Sequence, residues 1–205
     1  RQKTNRMSKN SRVLWAKKLA GIAEKSGNAQ QLALPVRKKE FSANRGQFYG
    51  TVLGIDPSLR GTGLAVVRYE KGKTPVCIDH ETIRNKAGIS MPQCLANIFR
   101  CTTAMVIRNN VDCVAIESSI YVQNTKTAVI LGSARGAAIA AIACEGLPLF
   151  EYAPLRIKQA VVGFGRASKE QVSKTVAGIL HAAAMGFDES DAAAAALTHI
   201  YTHKI

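Results

Sequence analysis

The chain has no C-x-x-C pair. Its five cysteines, Cys77, Cys94, Cys101, Cys113 and Cys144, are odd in number and scattered. That argues against a zinc site or a disulfide framework and points to a reducing compartment. Cys113 and Cys144 lie in apolar stretches and read as small hydrophobes. No apolar run approaches the length of a membrane span, so a soluble protein with no membrane partner is expected. Internal repeats and low-complexity tracts are also missing, apart from the alanine run 192–196. Acids are scarce at the start. Residues 1–50 hold 12 Lys/Arg against only Glu24 and Glu40, a balance of +10, whereas residues 51–205 hold 16 against 12, a balance of +4. A basic arm beside a nearly balanced domain is an electrostatic footprint for nucleic acid.

What is present divides accordingly. At 205 residues and 47% hydrophobic, the chain can bury one sizeable core and carry an appendage. Residues 1–50 read as a basic extension, with a short amphipathic helix over Ser11–Lys25 and the cluster Arg37-Lys38-Lys39 placed to meet nucleic acid. Its Arg/Lys-rich, acid-poor composition resembles an organellar transit peptide. A mitochondrial or plastid matrix location follows if so, and a cytoplasmic, nucleoid-associated one if the protein is bacterial. Residues 51–205 form the domain proper. Strands are expected at Thr51–Asp56, Leu64–Tyr69 and Val76–Thr82, the first two joined by a turn over Pro57–Gly63 whose glycines permit a tight bend. A helix follows over Met91–Asn110, then a strand ending at Glu117 and a long helix over Lys126–Cys144. The remainder reads as a strand at Leu147–Tyr152, helices near Leu155–Val162 and Lys169–Ala184, and a last helix from about Glu189 to His203. Three antiparallel strands and then strands alternating with helices make an α/β layered domain.

Four carboxylates stand out in apolar surroundings: Asp56, Glu117, Asp188 and Asp191. Asp56 ends Thr51-Val52-Leu53-Gly54-Ile55, and Glu117 ends Cys113-Val114-Ala115-Ile116. Both runs read as buried parallel strands, whose ends lie at the rim where open α/β sheets bind ligands. Asp188 and Asp191, three apart, share one helix face. Carboxylates this close repel and partly protonate unless a cation holds them. All-oxygen donors suit Mg²⁺ or Mn²⁺, and paired ions activate water for phosphodiester cleavage. Each residue also has a simpler use. Asp188 fits a helix N-cap, Asp191 the positive end of a helix dipole, and Asp56 a turn before Pro57-Ser58. Glu117 has no such alternative. His199 and His203, four apart, have a metal-ligand spacing, but without an obvious third ligand they read as surface or packing residues.

The motifs Gly54-Ile55-Asp56-Pro57-Ser58 with Gly61-Thr62-Gly63, and Ala115-Ile116-Glu117, resemble those of the RuvC-type Holliday junction resolvases. The resemblance continues through Leu131–Gly136, Leu147–Ala153 and Lys158–Gly163 to Asp188-Glu189-Ser190-Asp191-Ala192. It covers about residues 50–203 in one collinear order. It implies an RNase H-like mixed five-stranded sheet flanked by helices, a homodimer, and Mg²⁺-dependent nicking of four-way DNA junctions. By the same resemblance, Asp56, Glu117, Asp188 and Asp191 hold two metal ions per site, with Mn²⁺ able to substitute. Lys158 and Lys169 lie near the scissile phosphate, and a branch-migration helicase is a further partner. The loop Gly163-Phe164-Gly165-Arg166 is placed to bring Arg166 to the DNA backbone. Where the family carries a wedging aromatic after the catalytic Glu, this chain has Ile120 followed by Tyr121, with Lys126 as the nearest base. An aliphatic wedge still unstacks bases, and Tyr121 can stack. A competing expectation is a non-catalytic RuvC-like subunit of a nucleic-acid assembly such as an organellar ribosome.

Overall fold

In a computed structural model of the protein, residues 48–118, 124–182 and 185–203 are described. Arg37, Lys38, Lys39, Ile120 and Tyr121 lie outside them. The strands are β1 (Gly50–Asp56), β2 (Gly61–Tyr69), β3 (Val76–Arg84), β4 (Cys113–Glu117) and β5 (Leu149–Tyr152). The helices are α1 (Met91–Asn109), α2 (Thr125–Cys144), α3 (Pro154–Val162), α4 (Lys169–Leu180) and α5 (Phe187–Thr202). One sheet is formed in the order β3-β2-β1-β4-β5. β1, β2 and β3 pair antiparallel, while β4 runs parallel to β1 and β5 parallel to β4. This is the mixed five-stranded α/β architecture expected.

Both faces of the sheet are covered, which explains why its central strands are apolar without alternation. Val52, Ala65, Val67, Cys113 and Ala115 point into a core shared with α3, α4 and α5. Their neighbours Leu53, Ile55, Leu64, Val66, Val114 and Ile116 point into a second core under α1 and α2. Phe48 is 1% exposed and belongs to the first core, so the packed domain already includes the residues just before β1.

Three expectations need correcting. Gly61-Thr62-Gly63 is not turn but the start of β2, paired with Arg84, Ile83 and Thr82 of β3. The glycines serve close approach rather than bending: a Cβ at Gly63 would stand 2.0 Å from the Asp188 backbone oxygen. Cys144 is exposed, while Cys113 is buried as expected. Finally, α2 spans 20 residues with a mean hydropathy of 1.7 over its most apolar stretch, long and apolar enough by composition to cross a membrane. Lys126, Arg135 and several small residues interrupt the run, yet its alanines, isoleucines and leucine sum to a span-like hydropathy. The helix packs on α1, with Ala134, Ala138, Ala141 and Ile142 buried.

His199 and His203 are packing residues. His199 is fully buried, its ring stacked on His203 and lying against Phe150 and Phe48. Tyr152 Oη lies 2.8 Å from Nδ1 and Cys113 Sγ 3.4 Å from Nε2. Burial, and secondly the neighbouring His203, lower its pKa from 6.5 to about 4. The unfolded chain therefore binds this proton more readily than the folded one. The stability so contributed is complete above pH 6.5, falls as the pH drops from 6.5 towards 4, and is gone below that. The difference corresponds to roughly 3 kcal/mol. Denaturant unfolding at pH 4.5 and 7.5 should show a smaller gap between the two conditions for His199→Gln than for the unsubstituted protein.

Candidate active site

Parallel pairing sets Ile55 opposite Ile116. Asp56 and Glu117, one residue further along each strand, therefore emerge side by side at the carboxyl edge of the sheet. Strand alternation points both to the α5 side, because Gly54 and Ala115, two residues earlier, lie on that face. The β4–β5 ladder continues past the acid through Ser118 N–H to Tyr152 O at 2.8 Å. Arg135 of α2 donates to the Glu117 backbone oxygen and pairs with Glu151 at 2.8 Å. The end of β4 is thus held from the opposite layer.

The first turn of α5 lies over this edge, and backbone contact puts it there. A Cβ at Gly54 would stand 1.8 Å from Ala192 O, and one at Gly61 would stand 3.0 Å from Asp188 Oδ2. Gly186 is the N-cap, so Asp188 is the second helical residue and not the cap. Asp188 and Asp191 share the helix face turned towards Asp56 and Glu117. Lys169 enters from α4, whose start is set by a reciprocal cap: Ser168 N–H donates to Gln171 Oε1 at 2.8 Å and Gln171 N–H to Ser168 Oγ at 3.3 Å. Its Nζ lies 3.2 Å from Asp191 Oδ2. Lys158, half-buried on α3, acts electrostatically on Glu117.

The charges are out of balance. Asp56 is pushed up to about 7, first by burial, then by Asp191 and Glu117, with Lys169 opposing. Glu117 is raised by burial and by Asp191. Asp191 in turn raises Lys169. The four carboxylates are within electrostatic reach, but among the described residues no three acidic, histidine or cysteine side chains converge at metal-ligand distance. An all-oxygen, over-charged cluster beside a single ion-paired lysine fits a hard divalent cation, which would draw the carboxylates inward.

Of the other expected residues, Lys126 is exposed in the first turn of α2 and Arg166 is exposed between α3 and α4; neither joins the acidic group. Two residues were not singled out from sequence, Arg135 and Glu189. Arg135 carried a signal, as a charge in the middle of an otherwise apolar stretch of helix. Glu189 carried a weaker one, lying three residues after its N-cap.

The electrostatics predict a reversal at Asp56. An acid whose folded pKa is raised stabilises the fold below its unfolded value of 3.8, and that contribution is lost as the pH rises through 3.8 to about 7. Without divalent ions, Asp56→Asn should therefore raise Tm at pH 8 and change it little at pH 3.5. Added Mn²⁺ should raise Tm for the unsubstituted protein and much less for the variant. An Asp56→Asn Tm at or below the original at pH 8 would contradict this account of the cluster.

Comparison with known proteins places the chain in a family. The family described as crossover junction endodeoxyribonuclease RuvC matches residues 52–199. The crossover junction endodeoxyribonuclease RuvC of Syntrophomonas wolfei is 37% identical over 156 residues, covering 75% of this chain and 90% of that protein. The protein of the same name from Trichlorobacter lovleyi is 41% identical over 155 residues, covering 75% and 86%. The structure of Thermus thermophilus RuvC in complex with a Holliday junction substrate superposes with a TM-score of 0.69 at 30% identity, covering 75% of this chain and 94% of that one. The chain belongs to the RuvC family of crossover junction endodeoxyribonucleases.

Proposed function

We propose that this protein is a metal-dependent endodeoxyribonuclease that resolves four-way (Holliday) DNA junctions by paired symmetric nicks in recombination and repair. The observation that carries this is the gathering of all four carboxylates at one edge of the sheet in a chain of that family. Asp56, Glu117, Asp188 and Asp191 would hold two Mg²⁺, with Mn²⁺ able to substitute. When bound, the ions supply a water of lowered pKa and stabilise the leaving 3′ oxygen. Glu117 and Asp56 orient their donors from the rigid strand ends, and Asp188 and Asp191 do so from the helix. Lys169 holds Asp191 in place and, with Lys158, adds positive charge where the scissile phosphate approaches. Ile120 and Tyr121, which follow Glu117 in the sequence, would unstack the junction centre, and Lys126 and Arg166 would take backbone phosphates.

Paired nicks need paired sites, and α2 offers a face for a second copy. Val129 is 59% exposed on it. Gly132, Gly136, Ala140 and Ala143 continue a small-residue outer stripe at helical spacing. A stripe this smooth allows two helices to approach closely, which fits a homodimer. The extension, with Arg37, Lys38 and Lys39, binds nucleic acid or a larger assembly, and a branch-migration helicase is the natural partner of the resolving complex. The location follows the extension: nucleoid in a bacterium, mitochondrial or plastid matrix in a eukaryote. The non-catalytic subunit is not favoured, because the complete acidic set is retained.

A labelled four-way junction incubated with Mg²⁺ should give symmetric paired nicks, reduced about 100-fold or more by Asp56→Asn. Tight binding without nicks at any Mg²⁺ or Mn²⁺ concentration would sink the proposal. Removing residues 1–47 should leave nicking in place. Gly136→Glu meets nothing within 4 Å at its Cβ, so it should fold, yet light scattering should show a monomer and paired nicking should be lost.

A further inference from the structure

The four residues from Asp188 to Asp191 in the first turns of α5 do not share one task. Asp188 and Asp191 face the strand ends, and Ser190 meets Ser173 of α4, oxygen to oxygen, at 3.1 Å. Glu189 does something else with its charge. Successive helical residues are rotated by about 100°, so Glu189 points well away from the direction shared by the two aspartates. It points to the edge strand β3. Its Oε1 accepts from Thr82 Oγ1 at 2.9 Å, and its Oε2 lies 2.7 Å from His80 Nδ1 and accepts from Gly186 N–H at 3.1 Å. Its side chain is only 13% exposed. Protein donors therefore occupy both oxygens, which sets it apart from its acidic neighbours.

Those three partners fix different things. Gly186 N–H ties the carboxylate to the start of its own helix, as in a capping box. Thr82 and His80 tie the same carboxylate to β3, two residues apart on one face of the strand. Thr82 pairs with Gly63, the residue against which the Asp188 backbone packs. Glycine contacts set how deep α5 lies on the sheet, but a smooth backbone surface does not stop the helix from sliding or turning. A directional three-way bond does.

We propose that Glu189 is a positioning residue of the active site: by bridging the α5 N-terminus to Thr82 and His80 of β3, it fixes the axial place and rotation of Asp188 and Asp191 over the strand ends. The inference rests on reading those two aspartates as metal ligands. Loss of the bridge should weaken metal binding by about 10-fold, the lower end for residues that orient ligands.

The test is the Mg²⁺ and Mn²⁺ concentration at the midpoint of the metal-induced rise in Tm, with junction kcat and KM measured alongside. Glu189→Ala should move the midpoint about 10-fold upward and lower kcat more than it raises KM. Glu189→Gln keeps an acceptor for Thr82 but not the charge, and should recover most of the loss. Thr82→Val removes one of the two strand anchors without touching α5 and should move the midpoint severalfold in the same direction. This keeps the test decisive if Glu189→Ala fails to fold. An unmoved midpoint in Glu189→Ala or Thr82→Val, or a Gln variant as poor as Ala, overturns the proposal. Asp188→Asn separates the two readings: if it leaves the metal-induced rise intact, the ligand assignment itself has failed.

Discussion

The structure depends on one close approach, that of helix α5 to the sheet at Gly54 and Gly63. Side chains at either position would overlap the helix backbone, at Ala192 O and Asp188 O. Such contact needs small residues on both sides, which gives the alanine run a purpose. Ala192–Ala196 are all essentially buried, and a larger side chain on the sheet-facing side would lift the helix off the strands. A helix buried all round gains little from amphipathicity. What it gains is a fixed height above the sheet, and the active-site geometry follows from that height.

Bringing a helix N-terminus down onto two strand-terminal acids concentrates negative charge, and the protein divides its acids into two classes in response. Asp79, which burial would raise, is held low by Arg108 and Asn109. Glu189, likewise opposed by burial, is held low by Gly186, Thr82 and His80. These acids have their bonds made by the protein itself. Asp56 is instead raised by burial, Asp191 and Glu117, and Glu117 by burial and Asp191, with only lysine charge to relieve them. Carboxylates kept ionisable but left short of protein donors are those with bonds to spare for a cation. The positive end of the α5 dipole eases the crowding at Asp188 but does not remove it.

This division explains which parts of the molecule were legible in the sequence. Burial on both faces writes itself as an uninterrupted apolar run, so β1 and β4 and the acids ending them could be read directly. Helical spacing likewise put Asp188 and Asp191 on one face. The glycines could not be read so simply, because local sequence does not say what presses on a residue from more than a hundred positions away. Gly61 and Gly63 looked like turn formers and are strand residues under a helix. Glu189 looked like one more acid in an acidic motif, and only its partners on β3 distinguish it. The span-like hydropathy of α2 does not show as one long apolar run, because charges and glycines interrupt it and its alanines are apolar without being bulky.

The site is consequently framed from both faces of the sheet. On one side, α5 presses Ala192 against Gly54 of β1 and Asp188 against Gly61 and Gly63 of β2. On the other, Arg135 crosses from α2 to the backbone of Glu117 and to Glu151, fixing the ends of β4 and β5 together. Arg135 is on the inner side of the helix whose outer stripe would meet a second copy. Such an outer contact and the hold on Glu117 would therefore belong to one rigid element, since a helix transmits displacement along its length far better than a loop does. A resolvase that must cut two strands as a pair benefits from such an arrangement: the helix that would join two copies also braces one of the four acids in each.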